Sequence, residues 1–208
     1  MMSTSLVQKC ARFAKRSCDV LGSTVGIVAL LPVLLASALV VKLTSQGPVF
    51  FHQERVGKNG RVFACFKFRT MKVGAQALQE SLRAQSQQDG PAFKILNDPR
   101  ITRVGRILRK YSIDELPQLL NVLRGEMSLV GPRPPIPEEV DRYEEWQRRR
   151  LEVVPGITGL WQVSGRSELS FDEWVMLDIV YIDTWSLGLD LQILARTLPA
   201  VLRRAGAY

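Results

Sequence analysis

A long uninterrupted apolar run near the N-terminus is the strongest pattern in the chain. From Val20 to Val41, 22 consecutive residues carry no charge. As an α-helix this run would be roughly 33 Å long, about the thickness of the hydrocarbon core of a bilayer. It is too long for a cleavable signal peptide, and no convincing small-residue cleavage site follows it. The pattern predicts a membrane helix, with a buried core helix as the alternative.

Basic residues flank the apolar run on both sides, and these are Lys9, Arg12, Lys15, Arg16, Lys42, Arg55, Lys58 and Arg61. The positive-inside rule would keep both flanks in the cytoplasm, which a straight span does not allow. Pro32, near the middle, removes a backbone hydrogen bond and favours a kink. We therefore expect a re-entrant helix hairpin broken at Pro32, with a single-pass helix as the alternative. The basic amphipathic start is expected to lie along the lipid headgroups.

Shorter patterns fill the rest of the chain. Two short strands, 49–51 and 62–66, surround a Gly57 to Gly60 turn and predict a hairpin. Residues 74–98 are polar and predict a helix followed by a mobile loop, and the Gly-punctuated stretch after Val153 predicts another loop. Helical periodicity predicts further helices near 100–110, 114–124, 136–152 and 171–185 and an amphipathic C-terminal helix from 190.

Length and composition are consistent with one folded domain that is attached to the membrane by its N-terminal segment. The 208 residues, 46% apolar and 23% charged, are enough for one core and exclude wholesale disorder. The excess of 28 Lys and Arg over 20 Asp and Glu favours an anionic partner, such as nucleic acid, lipid headgroups or a phosphorylated substrate. The expected fold class is helix-rich α+β. Residues 1–45 would form the basic start and the re-entrant membrane helix hairpin, and 46–208 a small globular cytosolic catalytic domain with amphipathic interfacial helices.

Two adjacent acids, Asp114 and Glu115, follow a run of bases in the stretch RITRVGRILRKYSIDELPQLL. One explanation is an ordinary helix start, because Ser112 and Glu115 have the spacing of a capping box and acids suit the helix dipole. The other is a phosphate site, because acids, bases and backbone N–H groups together can hold a metal-bound diphosphate. The spacing alone leaves both open.

Other bases strengthen the second explanation. Arg109 ends a series of arginines that recur every three residues from Arg100. Arg133 stands between prolines that fix the backbone, so its guanidinium would be presented with little loss of entropy. Lys67 and Arg69 are two residues apart and would share one face of a strand.

Three motifs bring these residues together in one pattern. KFRTM, RKYSIDELPQLLNVLRGEMSLVGPRP and PGITGLWQVSGR follow in this order after a basic apolar N-terminus. They resemble the motifs of the bacterial sugar transferases, the monotopic polyprenyl-phosphate phosphoglycosyl transferases. The resemblance runs from about Lys15 to Leu202, and 74–98 carries no motif. That family is known for a re-entrant helix broken at a proline.

The resemblance implies an activity and a location. Family members transfer a sugar 1-phosphate from a UDP-sugar to undecaprenyl (polyprenyl) phosphate and release UMP, the first step of surface glycan biosynthesis. They act at the cytoplasmic face of the bacterial inner membrane. The expected partners are therefore a UDP-sugar, polyprenyl phosphate and the bilayer, without nucleic acid and with a homo-oligomer left open. The sugar, whether glucose, galactose or an amino sugar, and the glycan pathway also stay open.

The resemblance also implies roles for individual residues. Asp114 and Glu115 match the family's catalytic dyad, with Asp114 as the nucleophile that forms a covalent aspartyl-phosphosugar and Glu115 as the ligand of Mg²⁺. Contacts to the diphosphate, the nucleotide-sugar or the lipid phosphate are expected from Lys67, Arg69, Arg109, Arg133, Thr158, Gln162 and Arg166.

Two rival classes remain on the residues alone. A membrane-bound Mg²⁺-dependent phosphatase would use the same aspartate but transfer to water. A non-enzymatic anchor that binds anionic lipid or nucleic acid would account for the net charge of +8 without any chemistry.

Overall fold

The N-terminal apolar run is part of one long helix, α1, which covers Met2–Thr44 and has Pro32 inside it. The structure is a computed structural model and describes residues 2–75, 77–78, 95, 98–165 and 169–202. Most of the predicted helix and loop at 74–98 lies outside the described residues. The helix is long and apolar enough to span or enter a membrane, and few of its residues are buried.

One face of α1 packs on the globular part of the molecule. Asp19 Oδ1 accepts hydrogen bonds of 2.9 Å from the Ser128 hydroxyl and from the Leu129 amide. Further along the same face, Val41 packs with Phe68 and Leu108. The opposite face exposes a row of large apolar side chains that includes Leu21, Val25, Val28, Leu35 and Leu39. The helix thus separates a docked stripe from an uncovered apolar stripe.

Two of the bases before the apolar run are bonded to the domain, and the placement of the basic start along lipid headgroups stays a prediction. Lys15 Nζ is 2.7 Å from Asp190 Oδ2 and also donates to the carbonyl of Val130. The guanidinium of Arg16 donates to two carbonyls at the end of a later helix, Val122 O at 2.6 Å and Leu123 O at 2.8 Å. Both side chains anchor α1 to the domain. The two carbonyls that Arg16 contacts are good acceptors for a cation because they end a helix.

The predicted hairpin is confirmed. Strands β1 (Phe50–Val56) and β2 (Val62–Phe68) are antiparallel, and Phe51 lies opposite Lys67. The turn between them has positive φ angles at Asn59 and Gly60, which asparagine and glycine tolerate best. Both strands are longer than predicted.

The predicted helix at 114–124 is divided into two. Helix α2 (Arg103–Lys110) is followed by a 3₁₀ segment, Ile113–Gln118, and then by α3 (Leu119–Arg124). Pro117 explains the division, because a proline at that depth cannot donate the i→i−4 bond that an α-helix needs. The Thr102 side chain caps α2 by accepting from the Gly105 amide.

The C-terminal half consists of short elements and two longer helices. The predicted helix at 136–152 is wrong: the segment forms a single helical turn and a separate 3₁₀ segment. Within the predicted loop after Val153 lies a strand, which pairs in parallel with an earlier strand. The elements in order are β3 (Ser128–Val130), α4 (Pro137–Val140), the 3₁₀ segment Trp146–Glu152, β4 (Gly156–Thr158), the 3₁₀ segment Trp161–Val163, α5 (Phe171–Thr184) and α6 (Leu187–Leu202).

These elements confirm a helix-rich α+β fold with two two-stranded sheets among the described residues. The core lies in four small clusters of buried side chains rather than in one layer. The largest aromatic cluster, formed by Tyr143, Phe171 and Trp174, joins α5 to the segment around the 3₁₀ turn Trp146–Glu152. The predicted C-terminal helix is confirmed as α6, and it exposes Leu191 and Leu198.

Candidate active site

Asp114 and Glu115 lie in the first turn of the 3₁₀ segment Ile113–Gln118. Ser112, directly before it, has a left-handed backbone with φ of 54° and makes no side-chain cap bond. A capping box needs an extended N-cap residue whose hydroxyl accepts from the helix, so the predicted capping box is wrong. Both acids do lie in the first turn, where they suit the helix dipole. Asp114 is buried, with 7% of its surface exposed, whereas Glu115 is half-buried.

Lys67 of β2 is bonded to one of the two acids, Glu115. Its Nζ lies 2.6 Å from Glu115 Oε1. The strand is held in place by the fully buried Asn121 of α3, which accepts from the Phe66 amide and donates to the Ala64 carbonyl. The Asn121 side chain thus pairs with the backbone of β2 as a neighbouring strand would, and it fixes the position of Lys67 relative to the acids.

The two carboxylates differ in their proton affinity. Burial, reinforced by the like charge of Glu115, raises the pKa of Asp114 to about 6. Burial alone would also raise the pKa of Glu115, but the ion pair with Lys67 and the charges of Arg133 and Arg55 outweigh it and hold this pKa below its ordinary value. Among the described residues no other side chain bonds the Asp114 carboxylate.

Arg109 and Arg133 bring positive charge to the same place. Arg109, at the end of α2, favours the ionised form of Asp114, and its Nε donates to the Thr70 hydroxyl at 2.9 Å. Arg133 favours the ionised form of Glu115, and its guanidinium lies 5.3 Å from the centre of the Trp174 ring. The cations around the two acids outnumber them, so the cluster is suited to an anion.

Arg55 also belongs to this cluster, although the sequence patterns did not single it out as a site residue. It lies on β1, is 5% exposed, and donates to the carbonyl of Pro134 at 2.8 Å. Burial and the neighbouring Arg133 lower its pKa to about 10. The available signal was weak, because Arg55 lies outside the predicted strand 49–51 and outside the three motifs.

Three other predicted residues, Arg69, Thr158 and Gln162, bond to other parts of the chain. Arg69 is buried and donates to the carbonyl and hydroxyl of Ser45, just after α1. The Thr158 hydroxyl is 2.8 Å from the Thr197 hydroxyl of α6, and Gln162 donates to the Ile157 carbonyl. These bonds give the three residues a part in holding the fold, and their contacts to substrate stay predictions. Arg166 lies outside the described residues.

The side chains of the site limit how a metal ion could bind there. Among the described residues no group of three or more His, Cys, Asp and Glu side chains forms a metal cage. The carboxylate of Glu115 is 30% exposed, and one of its oxygens is bonded to Lys67. A single accessible carboxylate fits Mg²⁺, which usually binds one or two carboxylates and completes its shell with water and phosphate oxygens.

The fold and the cluster define a class of protein: a small domain with a long apolar helix that could span or enter a membrane, and with a cluster of acids and bases that is suited to an anion. Residues 10–204 match the model of the bacterial sugar transferase family, and the chain belongs to this family.

Individual relatives are similar over nearly the whole chain. The undecaprenyl-phosphate galactose phosphotransferase of Salmonella typhimurium is 43% identical over 215 aligned positions, and the alignment covers 100% of this chain and 44% of that protein. The UDP-glucose:undecaprenyl-phosphate glucose-1-phosphate transferase of Caulobacter vibrioides is 43% identical over 93% of this chain and 72% of its own length. The exopolysaccharide production protein ExoY of Rhizobium meliloti is 44% identical, over 99% of this chain and 92% of its own length. The chain spans less than half the length of several relatives.

Proposed function

We propose that this protein transfers a sugar 1-phosphate from a UDP-sugar to undecaprenyl phosphate, releases UMP, and so starts a surface glycan such as an exopolysaccharide. The observation that carries the proposal is Asp114: a buried carboxylate with a raised pKa, no side-chain partner among the described residues, and cations around it. The names of the Salmonella and Caulobacter relatives support the substrate classes. They differ in the sugar, so galactose and glucose are the first two to test.

The chemistry follows from the charges of the site. An oxygen of Asp114 attacks the phosphorus that bears the sugar, the bond from this phosphorus to the bridging oxygen of the diphosphate breaks, and UMP leaves. An oxygen of undecaprenyl phosphate then attacks the phosphorus of the aspartyl-phosphosugar, and the Asp114 carboxylate is released. The cations Lys67, Arg109 and Arg133 offset the negative charge that would otherwise repel the carboxylate.

Glu115 is proposed as the protein ligand of Mg²⁺, which when bound neutralises diphosphate oxygens. Its low pKa keeps it ionised at neutral pH, so it can serve as a ligand while Asp114 serves as the nucleophile. Lys67 holds the Glu115 carboxylate in place from the side of β2.

We further propose that α1 enters the bilayer and returns to the cytoplasmic face of the inner membrane. The same globular domain contacts α1 near Lys15 and Asp19 and again at Leu34 and Val41. A straight crossing would move one of these contact regions, with its polar side chains, into or across the hydrocarbon. The uncovered apolar face of α1 would face lipid, and Pro32 is the point where a bend costs least.

A UMP-release assay tests the reaction. We expect purified protein in nanodiscs to release stoichiometric UMP from one UDP-sugar without acceptor, and to turn over only when undecaprenyl phosphate is added. Mass spectrometry of the peptide that contains Asp114 should show a phosphosugar adduct in the absence of acceptor. Asp114→Asn should lose both adduct and turnover, whereas the matched surface change Asp141→Asn should keep them. Turnover with water in place of the lipid would support a phosphatase, and turnover by Asp114→Asn would refute the nucleophile.

Cysteine labelling tests the topology. Single cysteines at the exposed positions Lys9 and Lys58, in a chain with Cys10 and Cys18 replaced by serine, should both be protected from an impermeant maleimide in intact cells. Both should react after permeabilisation. Pro32→Leu should make one of them reactive in part of the population. A probe reached from the periplasm in the otherwise unchanged chain would contradict the re-entrant helix.

A further inference from the structure

The segment that carries Arg133 has almost no hydrogen-bond donors of its own. Gly131 to Pro135 reads GPRPP, and three of its five residues are prolines without an amide hydrogen. A backbone of this kind is fixed in φ, but it can be tied to its surroundings mainly through its carbonyl oxygens. Its position therefore depends on donors from elsewhere in the chain.

Each carbonyl from Pro132 to Pro135 accepts a hydrogen bond, and each donor comes from a different residue. The backbone amides of Gly156 and Val56 donate to Pro132 O and Pro135 O, both at 2.8 Å. The two carbonyls between them accept from buried guanidinium groups: Arg133 O from Arg150 Nη2 at 3.3 Å, and Pro134 O from Arg55 Nη1 at 2.8 Å.

Arg150 contacts both the backbone and the ring that support Arg133. It is 2% exposed, its Nη1 donates to the Tyr143 hydroxyl at 2.8 Å, and its Nη2 lies 2.6 Å from Asp178 Oδ2. Its guanidinium carbon is 4.8 Å from the centre of the Trp174 ring, the same ring that lies 5.3 Å from Arg133. The indole thus contacts both guanidinium groups.

A buried ion pair often contributes no more to the stability of a protein than apolar side chains of similar volume would, because both charges lose their hydration. An arginine fork, however, can donate to a carbonyl, a hydroxyl and a carboxylate at once and still stack on an aromatic ring. We propose that Arg150 and Arg55 are positioning residues for Arg133: they hold the GPRPP segment by its carbonyls so that the Arg133 guanidinium meets a diphosphate. This inference rests on the proposed function, in which Arg133 binds phosphate.

The test replaces the pair without leaving a buried charge. Arg150→Met combined with Asp178→Leu removes both charges and the donors to Arg133 O and Tyr143. The matched control is the neighbouring surface pair, Arg149→Met combined with Asp183→Leu, whose two charges are 2.6 Å apart and partly exposed. Both are compared in the presence of Arg133 and in an Arg133→Ala background, which gives a double-mutant cycle. Arg55→Lys, in the same two backgrounds, tests the second donor.

Two measurements are made on each variant: the KM and kcat for the UDP-sugar, and the binding of UDP by calorimetry, which needs no turnover. We expect the Arg150/Asp178 double variant to raise the KM and weaken UDP binding by about tenfold or more, since a misplacement of about 1 Å can cost about 100-fold. In the Arg133→Ala background the same change should have little further effect. Arg55→Lys should behave in the same way with a smaller loss, and the Arg149/Asp183 control should match the wild type in both.

A loss of equal size with and without Arg133 would overturn the proposal, because it would show that Arg150 acts only on stability. Unchanged UDP binding in a folded Arg150/Asp178 variant would also overturn it. The proposed transferase reaction fails separately: a wild type that binds UDP in an Arg133-dependent way but releases no UMP would refute the reaction and leave the positioning role supported by the binding cycle.

Discussion

Asp114 and Asp178 are two buried aspartates with a similar proton affinity and different surroundings. Burial raises the pKa of each to about 6. Asp178 is 1% exposed and paired with Arg150, which lowers its pKa against the effect of burial. Asp114 has a like-charged neighbour, Glu115, and the Lys67 that could neutralise it is bonded to that neighbour. A raised pKa therefore does not by itself distinguish the proposed nucleophile, Asp114, from Asp178, whereas the ion pair of Asp178 with Arg150 does.

The largest effect on stability is expected at the paired aspartate. Asp178→Asn leaves the Arg150 guanidinium buried without its counter-charge, which typically costs about 3–5 kcal/mol. Thermal or denaturant unfolding of purified protein measures this loss, and Arg150→Met in addition should recover much of it. An unfolding midpoint like that of the wild type would show that the pair is not needed to balance charge.

A gain in stability is expected at the unpaired aspartate. The pKa of Asp114 is higher in the folded chain than in the unfolded one, so folding disfavours its charged form. The penalty is absent below about pH 4, grows as the pH rises towards 6, and is complete above it. Asp114→Asn should therefore stabilise the inactive protein at pH 7 by up to roughly 3 kcal/mol. Unfolding at pH 7 and at pH 4, with Asp141→Asn beside it, tests the sign: a gain of equal size at both pH values contradicts the argument.

The smallest of these effects concerns the pH dependence of the first chemical step. In the proposed reaction the attacking form of Asp114 is the carboxylate, whose population falls as the pH drops through about 6. Single-turnover UMP release should therefore decrease by about tenfold per pH unit below that value. Asp178 has a similar pKa, so the control is the unfolding midpoint across the same range. A rate that stays constant down to pH 4.5 would show that Asp114 is ionised more easily than its burial suggests.

Local patterns in the sequence predicted the elements that repeat locally. The apolar run of α1, the alternating hairpin and the periodic helices α5 and α6 were all visible in this way. Strands β3 and β4 were not, because each has three residues and their pairing joins Ser128 to Gly156 across a long stretch of chain. A short parallel pair leaves no periodicity to read.

The candidate site, like the fold, was predicted where its residues belong to local motifs and was missed elsewhere. Asp114, Glu115 and Lys67 stand in motifs, and the structure brings them together. Arg55 was missed because the carbonyl it bonds is 79 residues away. Arg150 was missed because it is one of three adjacent arginines in the stretch QRRRLE, and only the fold distinguishes the buried one. Long-range bonds of this kind have no local signature.

The anchoring of α1 has a consequence for how the chain is made. Lys15 is bonded to Asp190, 175 residues later in the chain. At a synthesis rate of about 5–20 residues per second, roughly 10–35 s pass between the two residues leaving the ribosome. During that interval the docked stripe of α1 lacks part of the protein surface that it will contact, whereas its apolar stripe is already complete. We expect the nascent helix to be delivered to the bilayer first, so that the membrane is its earliest binding partner and the globular domain assembles onto a helix that is already held there.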